Sequence, residues 1–412
     1  METRSLKTTA RTPSQPRGNG RRMILDEIRA SGPIARIDIA DRTGVSPATV
    51  TATTAELLAA GLIEEISPAS KERENARGRP RVALRIRGAA HHVAGIKHSE
   101  HHTTVCILDF AGKVIASHEA SAPAPRLAAP AMAHHLSGAI AAACAAAGLS
   151  RERLSAVGLG IAGIVDAPRG FVYWSPTLSE RNVDLRSELE AQLSLPVFID
   201  NDANLVAKAE QLFGQGRGVR DFIVVTIENG VGMGIVIDNR LYRGTRGCGA
   251  EFGHTKVHLD GALCRCGQRG CLEAYVADYA LLREAEVHEP ARPGEDPAGR
   301  LNRLFAAAKA GDPMALSIFR RAGRMFAMGL ANLVNIFDPE LIILSGERMQ
   351  FDFLYAEEVL AAVRSQVVQI DAPLPEVRIH KWGDLMWARG AAAFAMEGVG
   401  EIAIRRIAED AA

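Results

Sequence analysis

Gly247-Cys248-Gly249-Ala250-Glu251-Phe252-Gly253-His254, a nine-residue spacer, then Cys264-Arg265-Cys266-Gly267-Gln268-Arg269-Gly270-Cys271-Leu272-Glu273: this stretch decides how the chain is read. A two-residue step from Cys264 to Cys266, then five to Cys271 with two glycines between, lets one tight knuckle aim three thiolates at a point. His254 arrives from the preceding segment and closes a tetrahedron. A Cys3His set with no position left for water is a structural zinc site. Apolar packing alone has no use for this glycine-punctuated spacing.

Glu251 and Glu273 lie beside the ligands. They read equally as surface acids or as acceptors for sugar hydroxyls. Two further stretches bear on that choice. Thr226-Ile-Glu-Asn-Gly-Val-Gly-Met-Gly234 is a strand running into a glycine loop, and Ile199-Asp200-Asn201-Asp202-Ala203-Asn204 ends a strand in polar groups. With the knuckle, these resemble the ROK family (repressors, open reading frames and sugar kinases), from about residue 90 to the end. The resemblance implies an actin-like, ribonuclease H-like α/β body of two lobes with a sugar cleft between them. It places Asn201, Asp202, Glu251, His254 and Glu273 on the sugar. In the family's kinases the acid at Asp202 is the general base, although an acid there also serves simply as a hydroxyl acceptor. His254 would bind Zn2+ through one ring nitrogen and offer the other to a sugar hydroxyl.

The chain has 412 residues, more than one small core, so two or three domains are expected. Its 48 Lys and Arg balance 48 Asp and Glu, but residues 1–87 hold 16 basic against 10 acidic, leaving 32 against 38 for the rest. A basic end on an acidic body points to an anionic partner for that end. Six cysteines, three in the knuckle and Cys106, Cys144 and Cys248 outside it, fit a reducing cytoplasm and not a disulfide framework. The polar, Arg-rich start is no signal peptide, and no apolar run reaches membrane-spanning length.

Residues 1–18 read as a disordered arm and 19–88 as a winged helix-turn-helix. Met23, Ile24 and Ile28 recur at helical spacing. Arg36 to Thr43 forms a second helix with Ile37 and Ala40 inward. Gly44 makes the turn. Ser46 caps and Pro47 opens a third helix, with Val50, Thr54, Leu57 and Leu58 inward, that would lie in the major groove of operator DNA. Leu62–Ile66 and Val82–Ile86 alternate like a wing. The expected DNA-contacting residues are Arg36, Ser46, Ala48, Thr49, Thr51, Arg77 and Arg79. The third helix has no Lys or Arg; its methyls and hydroxyls suit thymine contacts better than bidentate guanine reading. Arg77-Gly78-Arg79-Pro80 resembles the Arg-Gly-Arg-Pro of ROK repressors and reads as a minor-groove hook, with a basic hinge as the alternative.

On the nucleotide side the chain departs from the family's kinases. Their first hairpin carries Asp-x-Gly-x-Thr; here it is Lys97-His98-Ser99-Glu100-His101. Their second loop is usually Gly-Thr-Gly-x-Gly; here it is Glu228-Asn229-Gly230-Val231-Gly232. A phosphate cradle needs close backbone approach without opposing carboxylates. The histidines at 91, 92, 98, 101 and 102 have no ligand spacing and read as surface or interface residues.

The first lobe is expected over 89–201 plus 386–412 and the second over 202–385. The expected protein is no enzyme but a cytoplasmic, sugar-responsive repressor. Its partners would be double-stranded operator DNA, a monosaccharide effector and a second copy of itself, as a homodimer or homotetramer, with no membrane. The alternatives are an ATP-dependent sugar kinase with a DNA-binding head, and a regulator that answers to a protein instead of a sugar.

Overall fold

The computed structural model describes residues 17–66, 82–287, 290–292, 294–346, 349, 352–354, 356–368, 373–381 and 385–410. It divides into two compact units: residues 1–90 with 397–412, and residues 91–396. The last sixteen residues therefore group with the head, whereas the sequence reading assigned all of 386–412 to the first lobe.

The head contains α1 (Arg17–Ser31), β1 (Ile34–Ala35), α2 (Arg36–Thr43), α3 (Pro47–Ala59), β2 (Ile63–Ile66) and β3 (Ala83–Ile86). Arg17 and Gly18, expected in the arm, open α1; residues 1–16 lie outside the described residues. Gly44 ends α2 at φ 67°, where its N–H reaches Ala40 O. Ser46 Oγ accepts from Thr49 N at 3.2 Å and starts α3. The strands form an antiparallel sheet in the order β1-β3-β2, which is the wing. Ile24, Ile28, Ile39, Val50, Leu57 and Leu84 are fully buried and form the head's core. Each contributes about 1.5–3 kcal/mol relative to exposure. Ile37, expected inward, is 47% exposed, and Ile39 takes its place.

The body holds two five-stranded sheets. The first comprises β4 (His92–His98), β5 (His102–Asp109), β6 (Val114–Ser121), β7 (Leu154–Ile161) and β10 (Val197–Asn201), in the order β10-β7-β4-β5-β6. A two-stranded ribbon of β8 (Ile164–Asp166) and β9 (Phe171–Trp174) follows β7. The second sheet comprises β11 (Phe222–Ile227), β12 (Val231–Ile237), β13 (Arg240–Tyr242), β14 (Leu341–Ser345) and β15 (Glu376–His380), in the order β13-β12-β11-β14-β15. In each, three antiparallel strands are followed by two added in parallel on the far side of the first. The two halves therefore repeat one topology, the actin-like duplication that the resemblance implied.

Helices α4 (Ala129–Ala146) and α5 (Leu185–Leu193) cover the first sheet's core. The second sheet packs with α7 (Glu273–Val276), α8 (Asp278–Ala285), α9 (Pro297–Lys309), α10 (Pro313–Phe337) and α11 (Glu357–Gln366). Between the sheets run α6 (Asp202–Phe213) and the start of α12 (Met386–Asp410). The approach is close because it is made through glycine and alanine. A β-carbon at Gly95 would lie 2.0 Å from Ala388 O, and one at Gly158 would lie 1.9 Å from Ala391 O. The histidines are not all superficial: His98 is fully buried and His92 is 9% exposed. No helix among the described residues is long and apolar enough to cross a membrane.

Candidate metal and sugar site

The knuckle is built by backbone turns. Cys264 N donates to Gln268 O at 2.8 Å, and Gly267 N donates to Cys264 O at 3.0 Å. Gly267 (φ 87°) and Gly270 (φ 75°) take left-handed conformations, and a β-carbon at Gly270 would lie 1.8 Å from His258 O. These turns bring one donor atom each from His254, Cys264, Cys266 and Cys271 within 4.8 Å of one another. Cys266 Sγ is 3.7 Å from Cys271 Sγ, and His254 Nδ1 is 3.6 Å from Cys264 Sγ. A tetrahedral zinc with the usual bond lengths needs S···S edges of about 3.8 Å and N···S edges of about 3.5 Å. The donor set fits a metal cation.

The four groups also perturb one another. Burial pushes the Cys264 thiol up, yet hydrogen bonds with His254 and Tyr279 outweigh it and bring the thiol down to about 7. The hydrogen bond to Cys264 raises the His254 imidazole to about 9. Lys256 Nζ sits 2.9 Å from Cys271 Sγ, a cation beside the thiols that the sequence reading did not anticipate.

Three of the expected sugar residues, Glu251, His254 and Glu273, belong to the knuckle segment itself. His254 turns Nε2 away from the thiols, 3.9 Å from Glu251 Oε2. Glu251 has its carboxyl pushed up, by burial first and then by the Glu273 and Asp202 charges, with His254 opposing them. Glu273 opens α7; its Oε2 accepts from Val231 N at 3.3 Å and its Oε1 from the Tyr279 hydroxyl at 3.3 Å. Asn201 is an N-cap: Oδ1 accepts from Ala203 N at 2.9 Å while Nδ2 donates to Gly163 O at 2.9 Å. Behind it, fully buried Asp200 pairs with Arg243 Nε at 2.6 Å and tethers β10 to the segment after β13.

Asp202 Oδ1 accepts from Ala203 N, and Lys97 Nζ lies 2.9 Å from Oδ2. The same ammonium stands 3.8 Å above the Trp387 ring, and Trp387 Nε1 donates to Glu228 Oε1 at 3.1 Å. Lys97 and Glu228 thus both contact one tryptophan. Gly232 and Gly234 have a packing duty: β-carbons there would meet Ala203 and Ala207 of α6 at 2.7 and 2.6 Å. Trp387 lies in an Ala/Gly-rich helix, where nothing in the local sequence marked it as a site residue.

In the head, Ser46, Ala48, Thr49 and Thr51 are exposed on α3. Arg36, expected on DNA, donates to Thr54 Oγ1 at 3.0 Å and Glu65 Oε1 at 2.8 Å. Arg77 and Arg79 lie outside the described residues.

With the geometry in place, likeness to known proteins can be stated. Residues 93–397 match the ROK family and residues 21–64 match a winged helix-turn-helix DNA-binding model. The glucokinase of Streptomyces coelicolor is 36% identical over 251 residues, 58% of this chain and 77% of that one. The DNA-binding transcriptional dual regulator NagC of Escherichia coli is 28% identical over 353 residues, 84% of this chain and 85% of that one. The crystal structure of a ROK family transcriptional regulator, a homologue of the E. coli MLC protein, superposes with TM-score 0.78 at 26% identity, covering 95% of this chain and 99% of that one. Family match, duplicated sheets and helix-turn-helix head together make this chain a member of the ROK family that carries a winged helix-turn-helix domain.

Proposed function

We propose that this chain is a sugar-responsive DNA-binding repressor located in the cytoplasm. The observation that carries the reading is the joining of a winged helix-turn-helix head to a ROK body, an arrangement over which NagC aligns with 84% of the chain. A monosaccharide sits among Asn201, Asp202, Glu251, His254 and Glu273, and Zn2+ held by His254, Cys264, Cys266 and Cys271 fixes the loop that carries three of these groups. The metal is structural: four protein ligands leave no open position. The head contacts operator DNA through the exposed face of α3, and a dimer presents two heads to symmetric half-sites. Sugar releases DNA by binding one arrangement of the protein better than another. The test is operator binding by fluorescence anisotropy, with glucose, xylose, allose and N-acetylglucosamine added in turn. Unchanged affinity with every sugar would overturn the reading.

The 36% identity to a glucokinase supports a second reading, a sugar kinase with a DNA-binding head. Against it stand Lys97 on the carboxylate that would serve as base and Glu228 on the nucleotide side. Brisk ADP release with any of the four sugars would establish that second reading.

A further inference from the structure

Lys256 meets the metal ligands across a short antiparallel pairing. Val257 N donates to Gly270 O and Leu272 N donates to Thr255 O, each at 2.9 Å, so Lys256 faces Cys271 in a bridge. This is the non-hydrogen-bonded kind of antiparallel pair, in which opposite side chains stand closest. An ammonium has three donors. One reaches Cys271 Sγ at 2.9 Å and another reaches Gln268 Oε1 at 2.6 Å, so an exposed side chain is held by its charged end. Gln268 is itself part of the knuckle, since its carbonyl accepts from Cys264 N. The arginines around the knuckle are engaged differently. Arg269 and Arg283 donate to the carbonyls of Gly261, Leu263 and Ala274, and Arg265 lies over the Tyr279 ring. Lys256 is set on a ligand sulfur. Three thiolates and a neutral imidazole around Zn2+ leave one excess negative charge. Lys256 supplies the matching positive charge through a charge-assisted hydrogen bond.

We propose that Lys256 governs how firmly the knuckle holds its metal. This rests on the zinc reading above and goes beyond the four ligands. The ammonium donates to the Cys271 thiolate, offsets the excess charge of the donor set and keeps that sulfur turned to the other three donors. Cys266 is exposed and Cys271 is fully buried, so a competing chelator meets Cys266 first, and the hold of Cys271 decides how far release goes. Lys256 is a positioning residue and ligates nothing itself.

The experiment loads the full chain with zinc and titrates it against the coloured chelator pyridylazoresorcinol. Lys256→Met keeps the stem and loses the charge, Lys256→Arg keeps the charge, and Arg265→Met removes an equal charge from the same loop. Lys256→Met should bind zinc about 10- to 100-fold more weakly, the usual effect of removing an outer partner of a metal ligand. Lys256→Arg should recover most of that loss, and Arg265→Met should bind as the wild type does. Cobalt in place of zinc gives a readout that a packing defect would not move. The thiolate-to-cobalt absorption band should shift to longer wavelength in Lys256→Met, because a sulfur relieved of its hydrogen bond gives up charge more easily. Wild-type zinc affinity or an unmoved cobalt band in Lys256→Met would overturn the role of Lys256 and leave the metal site standing. An equal loss in Arg265→Met would overturn it too, since loop charge and not contact with the sulfur would then be at work. A wild-type chain that takes up neither zinc nor cobalt would remove the metal reading, and the role of Lys256 with it.

Discussion

Two regions of the body treat polar groups in opposite ways. On the knuckle side, three thiols and an imidazole converge within 4.8 Å, with two of their separations near the edges of a zinc tetrahedron. Glu251 and Glu273 stand close enough for one charge to raise the other's carboxyl. These groups repel or compete unless a cation or a ligand joins them. On the glycine-loop side the charges satisfy one another: Lys97 with Asp202 and Trp387, and Glu228 with the Trp387 N–H. Donors and acceptors that face one another without a partner call for a guest, and those already paired with each other do not.

The largest effect expected is on the knuckle side. Stripping metal with a high-affinity chelator, or Cys271→Ser, should destabilise the body by upwards of about 5 kcal/mol and lower Tm by about 10 °C or more. Scanning calorimetry with and without chelator, alongside metal analysis, reads this directly. A zinc-free protein with an unmoved Tm would dissolve the contrast between the two sides.

Next comes the tether behind the sugar residues. Asp200 is fully buried and its charge is met by Arg243 Nε at 2.6 Å and Asn204 Nδ2 at 3.0 Å. Arg243→Ala would leave a buried carboxylate without its cation, at a cost of about 3–5 kcal/mol in urea unfolding. A loss under 1 kcal/mol, on the order of an exposed pair, would mean that water reaches Asp200 in solution.

How much of this was legible in the sequence differs between the sides for a physical reason. The knuckle is local: its ligands and turns fall within eighteen residues, so spacing alone drew the donor set. Ser46, Pro47 and Gly44 punctuate the head for the same reason, since caps and turns are decided by nearest neighbours. The pair partners were not legible. Lys97 to Asp202 spans 105 residues and Trp387 to Glu228 spans 159, and no local pattern encodes such a meeting. The acceptors of Arg36, Thr54 and Glu65, were not legible either, since they come from other elements. Ile37 and Ile39 lie two apart on α2, and only the packing of the head decides which faces inward. The glycines of 230–234 were read as the remnant of a phosphate loop, whereas Gly232 and Gly234 make room for α6.

A third test concerns the strand that carries Lys97. Its neighbour His98 is fully buried, with Nδ1 2.8 Å from Thr103 Oγ1, and burial first, then the charges of His135 and Lys97, lower it to about 4. The folded chain keeps this imidazole neutral while the unfolded chain protonates near pH 6.5. Stability is therefore intact above pH 6.5 and falls as pH drops toward 4, by about 3 kcal/mol in all. His98→Gln should flatten that part of a urea-unfolding profile against pH. A profile identical to wild type would show that His98 is solvated, and the glycine-loop side would lose part of its closed character.

The smallest effect separates charge from bulk on the closed side. Glu228→Gln keeps an oxygen for the Trp387 N–H and changes volume little, so Tm should stay within about 2 °C. What changes is one negative charge on the loop that the resemblance assigns to nucleotide phosphate. If exclusion of nucleotide rests on that charge, the variant should bind ADP more tightly by about 1 kcal/mol, close to fivefold. Calorimetry at low ionic strength gives the best contrast, since salt screens an exposed charge and spares a buried one. An unchanged affinity would mean that nucleotide is kept out by the packed trio of Lys97, Trp387 and Asp202, and a gain far above tenfold would mean that a single carboxylate had closed an otherwise working cradle.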